Sequence, residues 1–175
     1  RTAGTVISDG PFSGIAGGSM DTNGYAFIAG SFGINPNGWT GPMIRRSFSN
    51  PLQDFRATVD MQMMNRNGGV GKIVISFLDA NDNIVASMGT YDPTNSRPNN
   101  KVAFRLAGSK TIYETQSANP GAYDNTRLWL ELVREGETFN AMAYRVDSEG
   151  RKHYRSIMPT FYDRQNQYQQ EIHQV

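Results

Sequence analysis

Cysteine is absent from the 175 residues. That removes disulfide bonds, thiolate zinc sites and a cysteine nucleophile together, and leaves a hydrophobic core to carry stability. An excess of charge is missing too. Lys and Arg number 17 against 16 Asp and Glu, a net charge of +1, and the charges are scattered. Nucleic-acid binders leave a basic footprint, so a nucleic-acid partner is not expected. No apolar run approaches the ~20 residues of a membrane-spanning helix, so membrane insertion is not expected either. Histidine is scarce: His153 and His173 stand far apart, without a partner at metal-ligand spacing, and read as solvated or structural. Two further motifs are absent. There is no Gly-x-Ser-x-Gly nucleophile elbow, and no phosphate-cradling glycine loop leads into a helix.

Helical periodicity is equally thin, and alternation takes its place. In Thr126 to Val146, Leu128, Leu130 and Leu132 alternate with Arg127, Trp129, Glu131 and Val133, the period-two pattern of a half-buried strand. Glu135-Gly136 stands where a two-residue turn is needed. Pairing Arg134 with Glu137 sets Leu132 against Phe139, Leu130 against Ala141 and Leu128 against Ala143, an apolar face. The same register sets Arg127, Trp129 and Glu131 beside Tyr144, Met142 and Asn140 on the opposite face. Asp54 to Met63 is a second clean alternation, with Phe55, Ala57, Val59, Met61 and Met63 on one side and Arg56, Thr58, Asp60 and Gln62 on the other.

Other strands are expected at Tyr25–Ala29, Trp39–Phe48 (broken by Asn50-Pro51), Gly71–Leu78, Ile84–Met88, Lys101–Leu106, Thr111–Thr115, Arg151–Met158 and Tyr168–Val175. Turn residues recur at near-regular spacing, and eleven or twelve short strands so spaced predict an all-β, two-sheet antiparallel sandwich of the jelly-roll kind. A chain this long fits one domain and buries roughly 70% of its unfolded surface. Residues 1–20 read as a loose lead-in and 160–175 as a terminal strand leading back to a parent protein. The start at Arg1, without Met or a signal-like segment, reads as a cut from something larger.

The candidate chemistry is that of recognition. A pyranose offers an apolar C–H face to an aromatic ring and hydroxyls to charged or amide groups. The face bearing Trp129, Glu131, Asn140 and Tyr144, joined by Arg56 and Asp60, supplies both kinds of partner. The loops Tyr91 to Asn100 and Ala118 to Asn125 add Tyr91, Arg97 and Tyr123. Asp79, Asn81, Asp82 and Asn83 carry oxygens of the kind that hold calcium, but Asp/Asn tight turns form without an ion, and the turn is the reading adopted; no cofactor is expected. Glycoside hydrolysis needs two carboxylates across the scissile bond. The Glu-x-Asp-x-x-Glu strand of laminarinase-type sandwich glycosidases is missing, so Glu131 and Asp60 read as anchors for hydroxyls or as solvated carboxylates.

Four stretches carry a resemblance: Gly24-Tyr-Ala-Phe-Ile-Ala-Gly30, Gly38-Trp-Thr-Gly-Pro-Met-Ile-Arg-Arg46, Asp54-Phe-Arg-Ala-Thr-Val-Asp60, and Leu128-Trp-Leu-Glu-Leu-Val-Arg-Glu-Gly-Glu-Thr-Phe-Asn-Ala141. Over roughly residues 20–160 the chain resembles the concanavalin A-like, galectin-type sandwiches of tailed-phage tail proteins. It is similar in particular to the carbohydrate-binding modules on evolved distal tail proteins of siphophages that infect lactic-acid bacteria. The resemblance implies a non-catalytic module at the virion tail tip, outside the bacterial cell. Its expected partners are host cell-wall polysaccharide and the parent tail (baseplate) proteins. Galectins read galactose through a His-x-Asn-x-Arg string that this chain lacks, so the resemblance implies no particular sugar. Two other classes compete: a structural tail module making only protein contacts, and a sandwich-fold glycan-active enzyme.

Overall fold

The computed structural model describes residues 12–14, 18–20, 26–28, 33–35, 38–40, 44–62, 74–91, 101–107, 110–115 and 127–175. In chain order the strands are β1 Phe12–Gly14, β2 Gly18–Met20, β3 Ala26–Ile28, β4 Gly33–Asn35, β5 Gly38–Thr40, β6 Ile44–Leu52, β7 Phe55–Gln62 and β8 Val74–Leu78. They continue with β9 Ile84–Tyr91, β10 Lys101–Leu106, β11 Lys110–Glu114, β12 Arg127–Glu135, β13 Thr138–Val146, β14 Lys152–Ile157, β15 Phe161–Tyr162 and β16 Ile172–Gln174. No helix occurs among the described residues. One sheet has the order β1-β6-β16-β8-β9-β10-β11, the other the order β14-β13-β12-β7 with β15 beside β13. All of their pairings are antiparallel. Two short hairpins, β2-β3 and β4-β5, form separate two-stranded sheets.

The two sheets close on one core, as a sandwich must. Leu128, Leu130, Leu132, Phe139, Ala141 and Ala143 from the smaller sheet meet Phe77, Ala86, Met88, Val102, Phe104 and Leu106 from the larger. Phe55 stacks on Phe77 with ring centres 4.6 Å apart, and Phe104 lies 6.1 Å from Phe139. Phe55, Ala57, Val59 and Met61 pack against this core from β7, which is the face their alternation predicts.

Four local expectations are corrected. The β12–β13 register is two residues away from the predicted one: Glu135 pairs with Thr138, so Trp129 faces Tyr144, Glu131 faces Met142, Leu132 faces Ala141, and Val133 faces Asn140. The cause is the turn. Gly136 has φ +55 at the first of the two central positions, which a II′-type hairpin reserves for glycine, so the turn is Gly136-Glu137 and not Glu135-Gly136. A slip of two preserves the side on which each residue lies, so both faces keep their predicted occupants. Pro51 does not end its strand. Against β16, Leu52 pairs with Ile172 and Ser47 with Gln174, so the intervening β6 residues bulge away from the ladder. At such a bulge the missing N–H of proline costs no hydrogen bond. Finally, the Trp39–Phe48 stretch is divided between β5 and β6, and the last strand covers only Ile172–Gln174.

Arg134 occupies the interior. It is 1% exposed, on the same parity as the three leucines. Its Nε donates to the Gln53 carbonyl at 2.5 Å, Nη1 to Tyr168 and Gln170 at 3.2 and 2.8 Å, and Nη2 to Leu52 at 3.1 Å. The guanidinium carbon stands 5.3 Å from the Phe55 ring centre. Burial pushes the Arg134 pKa below its ordinary value, with Asp54 and Asp163 opposing the shift. Asp163, 4% exposed, gathers the segment that follows: its carboxylate accepts from the backbone N–H groups of Gln167 and Tyr168 and from Gln169 Nε2. Replacing Arg134 by Met keeps most of the stem but strips the donors from four carbonyls. A urea-unfolding loss of ~3–5 kcal/mol is expected, in the range seen when one side of a buried polar arrangement is removed. A loss below about 1 kcal/mol would contradict that role.

Candidate functional site on the outer face of the smaller sheet

Strand alternation sends Arg127, Trp129, Glu131 and Val133 of β12 outward, beside Asp60, Thr58 and Arg56 of β7 and Tyr144, Met142 and Asn140 of β13. Asp60, opposite Trp129, is held by Arg127 in a bidentate pair: Nε to Oδ1 at 2.9 Å and Nη2 to Oδ2 at 2.8 Å. The two side chains are 4% and 17% exposed, so the pair is pre-ordered and partly desolvated. These hydrogen bonds hold the Arg127 pKa above its ordinary value against the opposing effect of burial. Glu131 receives Arg56 at 3.5 Å, a contact whose arginine lies open to solvent.

Trp129 is half-buried, and it is not a bare platform. The Lys152 ammonium stands 4.2 Å from its ring centre and 5.2 Å from that of Tyr144. Tyr144 also directs its hydroxyl to Met142 Sδ at 3.8 Å. A cleft of about 380 Å³ opens at this end of the face, lined by Asp60, Arg127, Trp129, Val146, Ser148, Glu149, Gly150 and Lys152. One wall is the turn 147–151. Asp147 shapes it by accepting from the N–H groups of Glu149 and Arg151, from Arg151 Nε, and from His153 Nε2 at 2.8 Å. Gly150 supplies the turn's φ of +84.

Of the expected site residues, Trp129, Tyr144 and Asp60 meet at this end. Glu131 and Arg56 pair further along the face. Asn140 lies beyond them, opposite Val133 and not beside Glu131, and takes a 2.7 Å hydrogen bond from Thr160 Oγ1. Tyr91 ends β9 in the other sheet instead of starting a loop. Arg97 and Tyr123 lie outside the described residues. The sequence reading missed Lys152, Val146 and the 148–150 wall. Arg127 was placed on the right face, but its pairing with Asp60 was not foreseen. The Asp79–Asn83 segment is the expected tight turn. Asp79 accepts from the N–H groups of Asn81 and Asn83 through Oδ1, and from Asn83 Nδ2 through Oδ2. No cluster of three or more His, Cys, Asp or Glu suited to a metal occurs among the described residues. His173 approaches Glu171 at 3.7 Å. No family model, curated protein or solved structure matches the chain.

The Asp147 carboxyl is held well below the usual carboxylate range. The backbone N–H of Arg151 is the main cause, opposed by burial and reinforced by the Arg151 and His153 side chains and the Glu149 N–H. A carboxyl depressed in the folded state stabilises above its unfolded pKa of ~3.9, and that contribution is lost as pH falls through the folded value. The gap in melting temperature between the native chain and Asp147→Asn is therefore expected to be widest above about pH 5 and to narrow below about pH 4. A gap that widens in acid would reverse the assignment.

Proposed function

We propose that the chain is a non-catalytic carbohydrate-binding module, and that a glycan occupies the outer face of β7, β12 and β13 at the cleft beside Trp129. The observation that carries this reading is a half-buried aromatic ring, Trp129, that lines an open cleft with a pre-ordered ion pair, Asp60–Arg127, while Tyr144 stands opposite Trp129 on the neighbouring strand. Aromatic faces stack on the C–H side of a sugar, and fixed charged groups hydrogen-bond its hydroxyls without paying to become ordered. Both carboxylates of this face already carry arginine partners, Asp60 with Arg127 and Glu131 with Arg56. That arrangement suits anchoring more than proton transfer. Together with the resemblance to siphophage distal tail modules, it supports recognition of host cell-wall polysaccharide from the virion tail tip. One open site of this kind binds weakly, on the order of millimolar, about −4 kcal/mol, and repeated copies supply avidity.

A purely structural module remains the competing reading, and Ile157 favours it. This side chain is 60% exposed on the edge strand β14, where a neighbouring protein could bury it. The two readings separate on Trp129→Ala. Binding of the labelled chain to lactic-acid bacterial cells, competed by soluble wall polysaccharide, is expected to disappear in this variant. Unfolding free energy should fall by less than the ~3–5 kcal/mol typical of a core tryptophan. Unchanged cell binding by the folded variant, or no binding by the native chain, would remove the glycan reading.

A further inference from the structure

The ladder between β13 and β14 is irregular at one place, and the irregularity lies beside the cleft. Met142 pairs with Ile157 and Ala143 with Ser156, but Arg145 pairs with His153 and Val146 with Lys152. An unbroken register would bring His153 opposite Val146. The extra residue in β14 brings Lys152 there instead, on the face that carries Trp129 and Tyr144. Bulges re-aim side chains, and they are over-represented at sheet edges and next to active sites.

The charges around Lys152 are already matched among themselves. Asp60 is taken up by Arg127, while Asp147 and Glu149 share Arg151 at 2.9 and 3.0 Å. Lys152 has no carboxylate within salt-bridge distance among the described residues; its recorded contacts are the Trp129 and Tyr144 rings. An ammonium held only by ring faces keeps the N–H donors that point away from the rings for an acceptor. A neutral sugar stacking on this side of Trp129 would have to displace it. A sugar bearing a negative group would instead bring the acceptor that the ammonium lacks.

The geometry points to an anionic glycan as the ligand of this cleft, with Lys152 contacting its carboxylate or phosphate while Trp129 and Tyr144 flank the sugar ring. This inference rests on the proposed glycan site and adds the class of ligand. The probe is polysaccharide extracted from lactic-acid bacterial walls, immobilised and measured against the native chain, Lys152→Met, Lys152→Arg and Trp129→Ala. Lys152→Met should weaken binding on the order of tenfold, the loss of one charge-assisted hydrogen bond, and Lys152→Arg should restore most of it. Raising the salt should weaken the native chain more than Lys152→Met. Two treated probes separate the sources: removal of phosphodiesters with hydrofluoric acid, and carbodiimide-borohydride reduction of uronic acids. Loss of binding after the first assigns a phosphate, and after the second a carboxylate. If Trp129→Ala abolishes binding while Lys152→Met and both treated probes bind as before, the anionic ligand is refuted and the glycan site stands. If the native chain does not bind the untreated polysaccharide, or Trp129→Ala leaves binding intact, the site and this inference fall together.

Discussion

The four hydrogen bonds of the buried Arg134 guanidinium are the constraint on which the rest of the smaller sheet depends. One side chain at the end of β12 satisfies carbonyls at the end of β6 and just beyond it, at Leu52 and Gln53, and from the C-terminal segment, at Tyr168 and Gln170. These segments meet nowhere in the sequence. A planar guanidinium with five donors can join them, whereas a compact ammonium offers three donors from one point. Asp163 completes the arrangement by folding residues 163–169 around its carboxylate, while its backbone N–H reaches the Glu137 carbonyl of the hairpin turn. The C-terminal strand β16 can then enter the larger sheet between β6 and β8. The two sheets are thus linked by polar contacts at one end as well as by the apolar core between them.

The same strand explains why the candidate site has the shape it does. Even-numbered residues of β12 fill the interior, so odd-numbered ones must form the outer surface, where Arg127, Trp129 and Glu131 find partners from both neighbouring strands. The floor of the cleft is consequently rigid sheet. Its wall, by contrast, is a turn held by Asp147, and its lid-like cation, Lys152, is positioned by a bulge. On the proposed reading, the sheet floor fixes where a ring would stack, and the cation over Trp129 would decide what kind of ligand gains from stacking there.

Much of this was legible from local pattern. Period-two alternation located β7, β12 and β13 and sorted their inner and outer residues correctly, because one buried face leaves little freedom in which side faces inward. What failed depended on contacts made at a distance or on the conformation of single residues. The register slipped because two adjacent turn choices looked alike until the φ of Gly136 distinguished them. Pro51 read as a breaker because nothing in its neighbourhood announces the bulge opposite β16. The role of Arg134 went unread because its partners lie 34 to 82 residues away. Lys152 could not have been placed at all, since the extra residue that turns it outward shows only in the pairing of β14 with β13.

The central claim is that a glycan binds on the face of Trp129, and the most direct measurement is an NMR titration of the chain with wall-polysaccharide fragments. The chain has two tryptophans, Trp39 and Trp129, so the Trp129 indole N–H signal is one of only two to assign and can report on the site. The account predicts saturable shifts of the Trp129 indole and of the backbone amides around Asp60, Arg127, Tyr144 and residues 148–152. Shifts confined to the larger sheet, or an unmoved Trp129 signal at saturating fragment, would contradict it.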